Sequence, residues 1–97
     1  MAERQVRFTD EFFSRLDLLL DEERDPDGKP SRTDFLVFEI PSIRDKLAAD
    51  YEAATLANDD PLVRVYVGGG RLVAGVAVYV TLAPDGAVRA FWLAIDP

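Results

Sequence analysis

The 97-residue chain has no cysteine and no histidine. Without cysteine there is no disulfide, no thiolate nucleophile and no thiolate metal ligand. Without histidine, a Ser-His-Asp relay and a His-ligated zinc centre are excluded. No stretch reaches the roughly 18–20 apolar residues that a membrane helix needs. The longest, Leu72–Leu82, is shorter and rich in β-branched residues. The opening "MAERQVRFTDEF" is charged and lacks an apolar signal core. Secretion is therefore not expected, and a cytoplasmic location is. A carboxylate-only Ca²⁺ or Mg²⁺ site stays open in principle, but no EF-hand spacing is present. Neither a cofactor nor a metal site is expected. A long basic stripe is also missing, which argues against broad, sequence-independent nucleic-acid binding.

Hydrophobic residues make up 48% of the chain, as in a globular protein, so a single domain spanning 1–97 is expected. The net charge of −7 is unevenly placed. Residues 1–61 hold 8 Lys/Arg against 16 Asp/Glu, whereas residues 62–97 hold Arg64, Arg71 and Arg89 against Asp85 and Asp96. Either the first part is an ordinary solvated helical surface, or it is an acidic face that meets a basic partner. Acidic runs such as Asp21–Glu23 and Asp59–Asp60 sit where turns and helix surfaces are expected, so a hydrolase built on paired carboxylates is the weakest option.

"QVRF" (Gln5–Phe8) alternates polar and apolar and predicts a short strand. Thr9 then suits a helix N-cap, with Asp10 and Glu11 at the positive end of the dipole. Phe12, Phe13, Leu16, Leu19 and Leu20 recur at helical spacing, and Leu18 falls off that stripe. This helix should fade by about Arg24, before the turn-forming "DPDGKP". Ser31 or Thr33 can cap a second segment at about 33–39, although "FLVFEI" is as strand-like as helical. Pro41 disfavours helix at Ile40 and suits the first turn of a helix over about 42–56. On that helix Ile43, Leu47, Tyr51 and Ala54 share one face. From Leu62 onward the pattern is β, with strands at Leu62–Val67, Leu72–Leu82 and Val88–Ile95. "APDG" (Ala83–Gly86) is a hairpin signal. The order β-α-α-β-β-β predicts an α+β domain with helices packed on one face of a small antiparallel sheet.

Gly68, Gly69 and Gly70 raise the question of a phosphate loop. Such a loop needs a helix behind it and a Lys-Ser/Thr ending, whereas Arg71 and a strand follow here. A tight hairpin is the better reading. With Gly68 and Gly69 as its central pair, Tyr66 opposes Arg71 and Val65 opposes Leu72. One face then carries Val63, Val65, Val67, Leu72, Ala74, Val76, Val78 and Val80 and receives the helices. The other carries Arg64, Tyr66, Arg71, Val73, Gly75, Ala77 and Tyr79. The last strand adds either Phe91, Leu93 and Ile95 or Val88 and Trp92 to that second face. Either way an apolar patch remains there, to be covered by the chain's own loops, by a partner or by a second copy.

This element order, with the opening "VRFTDEFF" and the hairpin "VRVYVGGGRLV", resembles the RelE/ParE toxin superfamily of bacterial toxin–antitoxin systems. Members often start with a strand followed by a Phe-Thr-x-Glu/Asp-like helix start. They often place a Gly-Tyr-Arg-(Leu/Val)-like turn into the third strand, where Gly70–Arg71–Leu72–Val73 stands here. The resemblance implies inhibition of translation by ribosome-dependent mRNA cleavage, or inhibition of gyrase. It implies an antitoxin or target protein as partner, with nucleic acid met only through the ribosome. Arg64 and Arg71 would be the catalytic cations, stabilising charge on a phosphate in flight. Tyr66, Tyr79, Trp92 and Arg89 complete the candidate binding surface. The acidic charge and the ending "LAIDP", which lacks the family's basic or aromatic C-terminal element, depart from the nucleolytic pattern. The gyrase-directed branch does not need those groups. The competing expectations are a non-catalytic acidic binding module, of immunity or inhibitor type, and a homodimer joined through the apolar sheet face.

Overall fold

A computed structural model describes residues 3–24, 26, 28–70 and 72–96. The first strand, β1 (Val6–Phe8), leads directly into helix α1 (Asp10–Leu19). Thr9 caps α1 as its position suggests: Oγ1 accepts the Phe12 backbone N–H at 3.3 Å. Such a cap contributes about 1 kcal/mol. Phe12, Leu16 and Leu20 are fully buried, while Leu18 projects into solvent. The helix stops earlier than expected. Leu20 is extended, and its carbonyl is taken by the Arg32 guanidinium, 3.1 Å away. That bond ties the end of α1 to the start of α2 (Arg32–Phe38).

Ser31 begins α2 with a full capping box. Its hydroxyl accepts the Asp34 N–H, and the Asp34 carboxylate accepts the Ser31 N–H. Arg24 then grips the same carboxylate with two hydrogen bonds of 2.9 Å. Helix α3 (Ile40–Ala49) follows. It begins at Ile40, so Pro41 does not keep that residue out of the helix and instead sits in the first turn, where its missing N–H has no intrahelical partner to lose. The long helix expected over about 42–56 is interrupted at Asp50, which leaves helical geometry (φ −156°). The Asp50 carboxylate accepts the Ala53 N–H and so caps the short α4 (Tyr51–Ala54). Strand β2 (Thr55–Ala57) was not foreseen: "ATLA" has no strand pattern of its own, and pairing with its neighbour defines it.

Three further strands complete the sheet: β3 (Arg64–Gly68), β4 (Gly75–Leu82) and β5 (Val88–Asp96). Among the described residues the sheet has five strands in the order β1-β5-β4-β3-β2. The α+β class is as expected. The sheet is mixed, because β1 lies parallel to β5 while the other pairs are antiparallel. The Ala83–Gly86 hairpin turn forms as its sequence suggests, with Gly86 in the left-handed region at φ 86°.

The β3–β4 register differs from the expected one. Tyr66 pairs with Val78 and Gly68 with Val76, so β3 and β4 are joined by a connection longer than a two-residue turn. The shift is an odd number of residues, so the face of every β3 side chain is reversed. Two local contacts hold this connection. The Gly70 N–H donates to the Val73 carbonyl at 3.2 Å, and Val73 is buried beneath it. Gly70 also lies so close to the buried Glu39 carboxylate that any Cβ there would overlap it. A side chain at this position would have to displace the Glu39 carboxylate and a Val73 methyl.

A β-bulge in β5 overturns both alternatives for that strand, because only Trp92 of the residues they named is placed opposite the helices while Val88, Leu93 and Ile95 go to the helix face. Val80 pairs with Ala90 but Tyr79 pairs with Trp92, leaving Phe91 as the extra residue. Val88 and Ala90 before the bulge, and Leu93 and Ile95 after it, thus share one face. The helices cover that face: Phe12, Leu16, Phe35, Ile43, Leu47 and Tyr51 join Tyr66, Val76, Val78, Val80, Val88, Ala90 and Leu93 in one core.

Candidate functional site

The corrected register separates residues that the sequence had grouped. Arg64 and Tyr66 were expected on the open face with Arg71, yet both lie on the helix side. Tyr66 is a core residue, 5% exposed. Its ring lines a cavity of about 240 Å³ together with Glu39, Ser42, Ile43, Lys46 and Gly70. Arg64 stands at the β3 position paired with Val80. Its Nε donates to Thr55 Oγ1 at 2.6 Å, and a terminal nitrogen donates to the Thr55 and Glu52 carbonyls at 2.9 and 3.3 Å. Thr55 Oγ1 in turn donates to the Tyr51 carbonyl at 2.7 Å. The guanidinium therefore clasps the α4–β2 corner against β3. Burial pushes the Tyr51 hydroxyl above its usual pKa, against the opposing pull of the nearby Arg64 and Arg4 cations. Arg71 lies outside the described residues.

The other three candidates do come together. Pairing places Tyr79 beside Trp92 and opposite Val65, with Arg89 beside Thr81. All three project from the face away from the helices. Around them lie Val65, Val67, Ala77 and Ala94, with Leu56 on β2 next to Val65. Leu56, Val67 and Trp92 are exposed. Arg7 neighbours Arg89 across the β1–β5 pair and forms an ion pair with Asp85 at 2.7 Å. Hydrogen bonds from the Ala87 backbone N–H and from Arg7 hold the Asp85 carboxyl below the ordinary carboxylate range.

Sequence reasoning missed Arg15 as part of this surface. Strand β1 ends at Phe8, so the β5 edge beyond Ala90 has no strand partner on that side. Arg15, on α1, reaches this edge. Its Nε donates to the Leu93 carbonyl at 3.0 Å, and its guanidinium lies 4.7 Å from the Trp92 ring centroid. This cation–π contact orients the ring while leaving 43% of Trp92 exposed. No local sequence signal could have found it, because residues 15 and 92 meet only through the fold. Val65 and Val67 carried a signal, their alternation, but it was assigned to the wrong face.

Chemically, the outer face offers large aromatic and aliphatic surface with cations at one end. The described residues include no group of three or more carboxylates poised to hold a cation. They also include no helix long and apolar enough to cross a membrane. The chain has no significant match to any protein-family model, curated protein or solved structure.

Proposed function

We propose that this chain is a RelE/ParE-like, cytoplasmic protein of a bacterial toxin–antitoxin system that acts by binding a protein target such as gyrase, not by cleaving mRNA. The observation that carries this choice is the position of Arg64. A phosphate-stabilising cation must present free N–H donors to the substrate. Arg64 instead donates to Thr55 and Glu52, and Tyr66 beside it is buried. The family assignment rests on the parts of the element order that match, β1 leading into a Thr9-capped helix and the β3-β4-β5 meander. Among the described residues, four helices and strand β2 lie between β1 and that meander, where the resemblance expects two helices. Inducible expression in a bacterial host tests it. Growth arrest with intact ribosome-bound mRNA, unchanged by Arg71→Ala, is the expected result. Ribosome-dependent mRNA cleavage that disappears in Arg71→Ala would overturn the non-nucleolytic choice, and harmless expression without an antitoxin would overturn the toxin assignment.

A second reading is a non-catalytic acidic binding module. It is favoured by the exposed Leu36, Val37 and Phe38 on α2, within the acidic part of the chain. An apolar anchor in a part of the chain with an acidic excess suits a basic protein partner. Its expected mark is co-purification with a basic protein that weakens steeply with salt.

A further inference from the structure

We infer that the outer face of the sheet binds a second copy of this chain, face to face about a twofold axis lying across the strands. The side chains on β4 and β5 form four rows along that face. Arg89 and Thr81 make the first row, Trp92 and Tyr79 the second, Ala94 and Ala77 the third, and Asp96 and Gly75 the fourth. A twofold axis between the second and third rows exchanges them. The aromatic row of one copy then lies on the alanine row of the other, and Arg89 faces Asp96. On β3 the same operation sets Val65 against Val67. An isologous interface requires self-complementarity of this kind. Here it exists in both size and charge.

The receiving surface is present. Val67, Gly75, Ala77, Ala94 and Asp96 line a shallow, almost wholly apolar depression of about 290 Å³. Trp92 is the large side chain that twofold symmetry brings to it, and Arg15 already orients its ring. Neither Arg89 nor Asp96 forms an ion pair with another of the described residues, so each can meet the other across the interface. The acidic excess of residues 1–61 lies mostly in the helical layer, and this geometry sends the two layers to opposite outsides of the pair. Repulsion between two copies of net charge −7 is thereby kept away from the contact.

Area sets the expected strength. With about 3.3 Å per residue along the eight-residue β4 and about 4.8 Å between strands, the face is roughly 25 by 20 Å. Two such faces bury on the order of 1,000 Å² in total, near the lower limit of specific interfaces. A micromolar, concentration-dependent dimer is therefore expected. The inference is independent of the toxin-family assignment, because its readout is mass and not toxicity.

Sedimentation equilibrium of the full chain from ~1 µM to ~1 mM tests it. The expected result is a shift from 10.8 kDa towards twice that mass. Ala94→Arg, which fills the depression, should leave a monomer, with its fold checked by circular dichroism. Arg89→Asp and Asp96→Arg involve exposed residues and leave the core intact. Each should weaken dimerisation about 10-fold or more, and the double reversal should restore it to within about 3-fold. A wild-type monomer over the whole range overturns the inference and leaves the face to a partner of different sequence. A double reversal no better than the single variants also overturns it.

Discussion

Leu93 and Trp92 are chain neighbours with opposite fates. Leu93 is fully buried under the helices, and Trp92 keeps 43% of its surface in water. The two faces they belong to are both apolar, so hydrophobicity alone does not say which one is the core. Composition within each face does. The covered face of β4 repeats one shape, Val76, Val78 and Val80, against which a helix stripe can lie flat. The bare face alternates large and small, Tyr79 and Trp92 beside Ala77 and Ala94. Uniform branched side chains build a core layer, whereas alternating sizes leave hollows that only a complementary surface fills.

The largest expected effect exploits this pair of neighbours. Leu93→Ala opens a cavity among Val78, Val80 and the helices and should cost about 2–5 kcal/mol. Trp92→Ala, measured at dilute protein, should cost only about 1 kcal/mol, the value of its Arg15 contact. Urea unfolding followed by far-ultraviolet circular dichroism measures both. Equal losses would mean that the outer face is covered in the monomer, and the distinction between faces would collapse.

Arg64 tests the covered face at its margin. Arg64→Ala leaves Thr55 Oγ1 and two carbonyls without their donor, at a cost of about 1.5–3 kcal/mol. Arg64→Lys should recover little, because one ammonium cannot reproduce the planar fork. Amide exchange should accelerate most at β2, the strand this clasp holds. Loss of biological activity without loss of stability would instead place Arg64 in a binding role.

Gly70 shows where the sequence stopped being legible. The local features were readable: the Thr9 cap, the Phe12–Leu16–Leu20 stripe, Pro41 opening a helix, and the Ala83–Gly86 turn. Each is decided within a few residues. The faces of β3 were not, because they follow from its pairing with β4, which no short stretch of sequence decides; beside that pairing Gly70 comes up against Glu39, far away in the chain. The Phe91 bulge, the pairing of β1 with β5 and the Arg15–Trp92 contact are likewise non-local. So the candidate surface was half legible: Tyr79, Trp92 and Arg89 share one face, while Arg64 and Tyr66 belong to the other. Gly70→Ala should cost about 1–3 kcal/mol, since the new methyl must displace both the buried Glu39 carboxylate and a Val73 methyl. Gly69→Ala, whose added Cβ would meet nothing closer than 3.5 Å, should be nearly neutral. If both are neutral, the close approach at Gly70 does not constrain the connection.

The smallest effect separates the two regions by charge. Asp34, in the helical layer, is held well below the ordinary carboxylate range, first by its hydrogen bond from Arg24 and then by the Ser31 backbone N–H. Asp85, at the end of the sheet, is lowered by the Ala87 N–H and by Arg7. A carboxylate whose pKa is depressed in the folded state binds fewer protons there than in the unfolded chain. Its contribution is complete above the unfolded value of about 3.9 and is lost as the pH falls below it. Both groups should therefore steepen the acid limb of stability in the same window, and at neutral pH the contribution of each is complete and no longer varies with pH. Asp34→Asn should flatten that limb more than Asp85→Asn, because Asp34 has the larger depression and lies inside a capping box. Chemical denaturation repeated between about pH 2 and pH 5 measures the slopes. Equal flattening would show that the acidic helical layer holds its charges no more tightly than the sheet does.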